Sequence, residues 1–414
     1  MSVEGPAHSA VVARLPNAEV NLAAWGGIVF PICLIVEAPA VMLLSASTAL
    51  SRDYDTYCRL RRIANLIGAG LTLVHIAIAF TPLYYFVARD LIGAPEAIIA
   101  PGRLGMMIML PWSWAIAYRR FQQGAMIRFG HARAVGIGTV VRMTVNAVVL
   151  AIGFLLRDVP GIVVAAGAVA VGVTAEALYA GLRVRSVVRT QIRTAAAAAE
   201  TLTPRAFVTF YVPLALTSLI TFFVSPIGSA AMARMPDPLA SLAAWPVVNG
   251  LLFMLRSPGM AYTEAVVALL DDGPAFRRLR RFALGLALGT LLIAVAVVAT
   301  PLATVWLERV MALSPALVDL SRHALRPAPV FPVLVVLISW YQGIVVHSKQ
   351  TRGITEAVTL SLIVTSTLLG VGIALQRLPG LVVTVAGISV GALAQVGWLI
   401  YRSRPAVTGH LKAT

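Results

Sequence analysis

Glu37 and Arg256 each stand two residues ahead of a proline, Pro39 and Pro258, inside long apolar runs. Such a charge at bilayer depth costs roughly 2.5–3.5 kcal/mol on insertion scales, so it faces a cavity, water or a partner. The chemistry open to such a pair is ion binding and charge exchange: an ion pair that opens when a solute or a coupling proton arrives. A permanent salt bridge is the competing reading. The prolines each remove a helical hydrogen bond, which makes Pro39 and Pro258 candidate hinges, or simply kinks that shape packing. Further polar candidates lie in the same kind of apolar surroundings. Glu264 follows Arg256 by two turns, with Tyr262 beside it. Arg142 and Asn146 share a helix face; snorkelling to the boundary is the alternative role for Arg142. His75, Glu176 and Asn249 complete the set, and for His75 an interhelical hydrogen bond competes with proton relay.

Other chemistries find no support. The chain has no GxxxxGK[ST], HExxH or G-x-S-x-G sequence, so ATP hydrolysis and the common hydrolase sites are not expected. Cys33 and Cys58 lack the spacing of a zinc site. Asp271 and Asp272 sit in an arginine-rich loop, which suits charge pairing better than metal binding. No enzyme activity and no cofactor are expected; H+ or Na+ is the candidate coupling ion.

The elements that position these residues are membrane helices. Of the 414 residues 59% are hydrophobic and 12% charged, with mean hydropathy +0.87. Runs of about 20 apolar residues span a hydrocarbon core, and eleven such segments are expected, at 22–50, 63–88, 104–117, 135–156, 161–182, 207–232, 242–270, 282–307, 330–346, 354–375 and 380–401. The third and ninth are short and are expected to extend into their polar flanks. The net charge of +16 lies in clusters between these runs, as topology signals do, so nucleic acid is not an expected partner. Lys and Arg number 22 on one side against 9 on the other, which predicts a cytoplasmic C-terminus.

The sequence also repeats itself. At an offset of 219, Pro39 matches Pro258, Arg59-Leu60-Arg61-Arg62 matches Arg278-Leu279-Arg280-Arg281, Thr81-Pro82-Leu83 matches Thr300-Pro301-Leu302, and Gln123-Gly124 matches Gln342-Gly343. Six segments separate equivalent positions, so the two copies point the same way. The repeat makes Glu37 and Arg256 equivalent, which predicts that they face each other near a pseudo-two-fold axis. Both Gln-Gly pairs are expected to serve close helix packing. The expected organisation is a helical lobe over 1–182, a basic linker over 183–205, a second lobe over 206–404 and a tail over 405–414. The second copy opens with a helix that has no counterpart in the first, and 9–13 aligns with the tail of that helix. The fold class is therefore an all-α polytopic membrane protein of two parallel six-helix repeats, its first helix apparently missing, with about 11 transmembrane helices.

Two parallel six-helix halves with an arginine-rich loop in each resemble the multidrug/oligosaccharidyl-lipid/polysaccharide exporter superfamily, which includes the MATE transporters. LVHIAIAFTPLYYF at 73–86 and YVPLALTSLITFFVSPI at 211–227 resemble the progressive ankylosis protein family within it. The resemblance implies a V-shaped transporter with a central cleft, working by alternating access. MATE likeness implies organic cations; progressive ankylosis likeness implies small organic or phosphate anions; a lipid-linked saccharide flippase is the related alternative. In some MATE proteins an acidic residue on the first helix matters for ion coupling, and no residue here can be matched to it. The expected setting is a bacterial cytoplasmic (inner) membrane, the partners a small-molecule solute and membrane lipids, and the form a monomer. A membrane-embedded enzyme and an inactive truncated remnant are the readings from other classes.

Overall fold

The computed structural model describes residues 4–196, 202–270, 273–348 and 352–412. Apart from the short turns between elements they are helical, as a chain in lipid must be to satisfy its backbone internally. Ten helices are long and apolar enough to cross a bilayer. In chain order the elements are α1 (Glu4–Val12), α2 (Ala18–Leu50), α3 (Tyr54–Phe80), α4 (Glu96–Ile108), α5 (Leu110–Arg128), α6 (Ala132–Leu156) and α7 (Gly161–Ile192). There follow α8 (Pro204–Ala233), α9 (Pro238–Leu269), α10 (Gly273–Ala299), α11 (Pro315–Leu325), α12 (Val330–His347), α13 (Arg352–Leu375) and α14 (Gly380–Lys412). Helices α4 and α5 run in series, divided at Met109 just ahead of Pro111, whose ring nitrogen cannot donate a helical hydrogen bond, and neither is among those ten. The apolar segment expected to end at 117 thus runs on to Arg128, because Arg119, Gln122 and Gln123 are buried. Similarly, α7 continues past 182 to Ile192, ending in one wide turn over Val188–Ile192.

Contacts divide the chain into two units, Arg14–Pro226 and Ile227–Thr414 together with Met1–Ala13. The division falls inside α8, and the stretch 183–205 belongs with the first unit. In the first unit Tyr211 stacks on Phe207 and donates to the Pro39 carbonyl at 2.6 Å. In the second, Ala231, Met235 and Leu369 form a buried cluster, and α1 lays Pro6 against Gly250 of α9.

The sequence repeat is a structural one. Helices α3 and α10 each have 27 residues, with boundaries 219 apart. Left-handed backbone recurs at Asn17 and Asp237, at Gly93 and Ala312, and at Arg157 and Gln376, each pair in register. Asn and Asp tolerate that conformation through local hydrogen bonding. Side-chain contacts repeat as well. The Asn21 Oδ1 accepts from Ile162 N at 3.2 Å, and Ser241 Oγ accepts from Leu381 N at 3.2 Å. Tyr57 lies 5.2 Å from Phe121, and Phe276 lies 5.3 Å from Trp340.

The two Gln-Gly pairs show why glycine sits where it does. A Cβ on Gly124 would lie 2.4 Å from the Leu44 carbonyl oxygen, and one on Gly343 would lie 2.6 Å from Val266, so in each unit the glycine lets two helices close up. Because a backbone atom blocks Gly124, Gly124→Ala should destabilise by about 1–3 kcal/mol. Gly70→Ala, with nothing within 4 Å, should not destabilise. Thermal melts of the purified full chain check both, and equal melting temperatures would contradict the packing argument.

Candidate functional site

In the first unit five charged side chains gather where α2, α5, α6 and α7 pack together. Arg119 lies nine residues before the end of α5, Arg142 ten residues into α6 and Glu176 sixteen before the end of α7. Their side chains meet where these helices pack against one another. Glu176 is fully buried and is the hub. Its Oε2 is paired with Arg119 Nη1 and, at 2.9 Å, with Arg142 Nε, while its Oε1 accepts from Gln123 Nε2 at 2.8 Å. Arg119 and Gln123 are four apart and share one helix face. Asn146, one turn along α6 from Arg142, packs on Gly172, where any Cβ would overlap its Oδ1.

Glu37 extends this cluster. It is 6% exposed, and its Oε2 is buried with no hydrogen-bond partner among the described residues. The charges that act on it are those of Arg119 and Arg120. Three guanidinium groups therefore stand against two carboxylates, an excess of one positive charge. The Nε atoms of Arg119 and Arg120 are likewise buried without a hydrogen-bond acceptor. Each such group costs desolvation energy that a fold does not accept without return.

The repeat supplies an internal control. At the positions equivalent to Arg119, Arg120, Arg142, Asn146 and Glu176 the second unit has Ile338, Ser339, Ser361, Thr365 and Gln395. The packing there is nonetheless the same. A Cβ on Gly391 would overlap Thr365 Oγ1, as one on Gly172 overlaps Asn146. Gly372 meets Val383 as Gly153 meets Val164. The fold is thus built without these charges in one unit, and their presence in the other needs a different reason.

The remaining sequence candidates separate. Arg256, in the second unit, is held over the rings of Phe253 and Phe331 at 5.0 and 5.5 Å, and its Nε is buried without an acceptor. Asn249 is half-buried and Glu264 exposed. Tyr262 is a packing anchor: its hydroxyl donates to the Leu279 carbonyl at 2.7 Å and its ring stacks on Trp340. His75 is fully buried between Ser113 Oγ at 2.7 Å and the Met106 carbonyl at 2.8 Å, an interhelical tie between α3 and the α4–α5 pair. Near Pro39 the helix breaks at Met42, whereas α9 runs unbroken past Pro258. Asp271 and Asp272 lie outside the described residues. Arg142 does not snorkel, since Glu176 holds it inside. From sequence, Arg119 and Arg120 fall just beyond the third apolar segment, as loop charges. The signal that could have reclassified them is the short third segment with Gln123 one turn beyond Arg119.

No protein-family model matches the chain, and no curated sequence does. Solved structures do. A multidrug resistance MATE family transporter of the MOP superfamily is similar with a TM-score of 0.80 at 15% identity, over 100% of this chain and 96% of that one. The lipid II flippase MurJ gives 0.71 at 12% identity, over 99% and 89%. A MOP superfamily transporter from Pyrococcus furiosus Vc1, described as having a binding pocket of reverse polarity, gives 0.62 at 15% over 100% and 96%. The chain has the fold of the MATE transporters and of MurJ.

Proposed function

We propose that this protein is a secondary-active transporter that exports a small organic or phosphate-containing solute by alternating access, with no catalytic chemistry of its own. The observation that carries the reading is the charge cluster of Glu37, Arg119, Arg142 and Glu176, all buried, with half-buried Arg120; the otherwise matching second unit has uncharged residues at the counterparts of the three arginines and Glu176, and the opposite charge, Arg256, at that of Glu37. Buried ionisable groups that a fold does not need mark ion and solute pathways in membranes. In the MOP fold such a cluster sits in a framework that other proteins use for transport. The excess positive charge favours an anionic solute, which agrees with the progressive ankylosis likeness. A coupling ion, H+ or Na+, is the driving partner. The excess of arginine on one side supports a cytoplasmic position for residues 51–62 and 277–281 and for the C-terminus, and the reading is of a monomer in a bacterial inner membrane. A flippase for a lipid-linked saccharide is the second reading, favoured by the match to MurJ over nearly the whole chain.

Proteoliposomes holding the full chain test the proposal. A fluorescent organic anion should move faster under an imposed proton or sodium gradient than without one, and faster than an organic cation of similar size. Movement of a labelled lipid-linked saccharide, with neither soluble probe transported, would select the flippase. No gradient-dependent movement of any of the three would overturn the transporter reading.

A further inference from the structure

A groove of about 410 Å³ opens between α13 and α14 in the second unit. Its floor is a single stripe of α13: Arg352, Thr355, Glu356 and Thr359 at one end, then Leu360 and Ile363. These positions recur at three- and four-residue intervals, so they share one face over about 16 Å. The stripe changes from charged to apolar along its length, as a lipid does. Trp398 of α14 walls the groove where the change occurs. With Tyr401, 57% exposed in the next turn, it forms the aromatic pairing typical of a membrane–water boundary.

The polar end carries an excess of positive charge. Glu356 accepts from Trp398 Nε1 at 3.1 Å and lies 3.4 Å from Arg352 Nε and 3.3 Å from Arg402 Nε. Two guanidinium groups thus share one carboxylate. Arg352 is almost fully exposed, and Arg402 Nε is buried without a hydrogen-bond acceptor despite the nearby Glu356. Arg402 reaches this place by crossing Gly353, where a Cβ would lie 3.1 Å from its Nε. The other unit keeps the framework, with Arg133, Tyr179 and Arg183 at the equivalents of Arg352, Trp398 and Arg402. It lacks the polar stripe: Gly136, Ile137 and Val140 stand for Thr355, Glu356 and Thr359. The stripe is therefore not a requirement of the fold.

We propose that this groove is a binding site for one anionic phospholipid, whose phosphate lies between Arg352 and Arg402 and whose acyl chain lies along Leu360 and Ile363 beside Trp398. A net charge of one positive unit at the polar end matches a phosphate that carries no compensating cation, such as that of phosphatidylglycerol. Basic pockets at one membrane face recognise such headgroups. The site does not depend on the transported solute. Glu356 competes with the lipid phosphate for both arginines, so the carboxylate limits affinity.

Native mass spectrometry of the detergent-solubilised full chain, incubated with phosphatidylglycerol or phosphatidylcholine, tests this. Wild type should retain one phosphatidylglycerol in preference to phosphatidylcholine. The double variant Arg352→Gln/Arg402→Gln should lose that adduct about tenfold or more, following the contribution of each basic residue to anionic lipid binding. Glu356→Gln should increase it, and Arg133→Gln in the other unit should leave it unchanged. If the three groups form only a structural ion pair, Glu356→Gln will lower the melting temperature and not raise lipid retention, which overturns the proposal. Equal retention of the two lipids by wild type, or unchanged retention by the double variant, overturns it too.

Discussion

Replacing the charged cluster of the first unit by its counterparts from the second should leave the protein folded and abolish transport. The variant Arg119→Ile/Arg120→Ser/Arg142→Ser/Glu176→Gln installs the residues that stand at 338, 339, 361 and 395. Exchanging a buried ion network for uncharged residues of compatible packing is often neutral or stabilising by about 1–4 kcal/mol, because the desolvation cost of the four exchanged charges disappears at once, and adding Glu37→Gln removes the fifth. Removing one member is different. Glu176→Gln alone leaves Arg119 and Arg142 buried against a neutral amide, which should cost about 3–5 kcal/mol. The single substitution is thus expected to be more damaging than the quadruple one, a non-additivity expected of residues in one network. Thermal melts and expression levels report stability; gradient-driven uptake in proteoliposomes reports function. A quadruple variant that fails to fold while Glu176→Gln is tolerated would show the cluster to be structural.

That experiment is available because so much of the architecture is written twice. The arginine clusters, Thr-Pro-Leu and Gln-Gly pairs revealed the repeat from sequence alone, since polar matches at one spacing do not arise from an apolar composition. The structure extends the match to the left-handed turns at Asn17 and Asp237 and to the glycine contacts on Leu44 and Val266. The cluster itself was only half legible. Glu37, Arg142 and Glu176 stood out because their apolar neighbours made them costly. Arg119 and Arg120 did not, because they follow an apolar run directly, and hydropathy places such residues in a loop. What settles their position is tertiary: α5 continues for another three turns because Glu176 on α7 supplies a counter-charge. Tyr262, a pathway candidate from sequence, packs into a core in the structure. Its polar hydroxyl is tied to the Leu279 carbonyl, and its ring is part of a core with Phe276 and Trp340. No sequence pattern separates an aromatic that lines a path from one that fills a core.

Within the cluster Glu37 is the carboxylate with an unengaged oxygen. Both oxygens of Glu176 are occupied by Arg119, Arg142 and Gln123, whereas Glu37 has a buried Oε2 that no described residue engages. A proton or Na+ taken up there would neutralise the charge that faces Arg119 and Arg120, and would loosen their hold on whatever anion they bind next. Coupling of this kind is worth about 1–3 kcal/mol, or about 5- to 150-fold in affinity. Glu37→Gln keeps the shape and removes the ionisable group, so flux should fall by a factor within that range and lose its dependence on the ion gradient. Stability should change little, because the Oε2 lost in the exchange makes no hydrogen bond among the described residues. Arg256→Met, on the equivalent position of the other unit, removes a guanidinium that rests on Phe253 and Phe331, an arrangement worth about 0.5–2 kcal/mol. It should slow transport while leaving the gradient dependence intact, which separates a residue that shapes the path from one that binds the ion. Flux and gradient dependence at wild-type level in both variants would remove Glu37 and Arg256 from the mechanism.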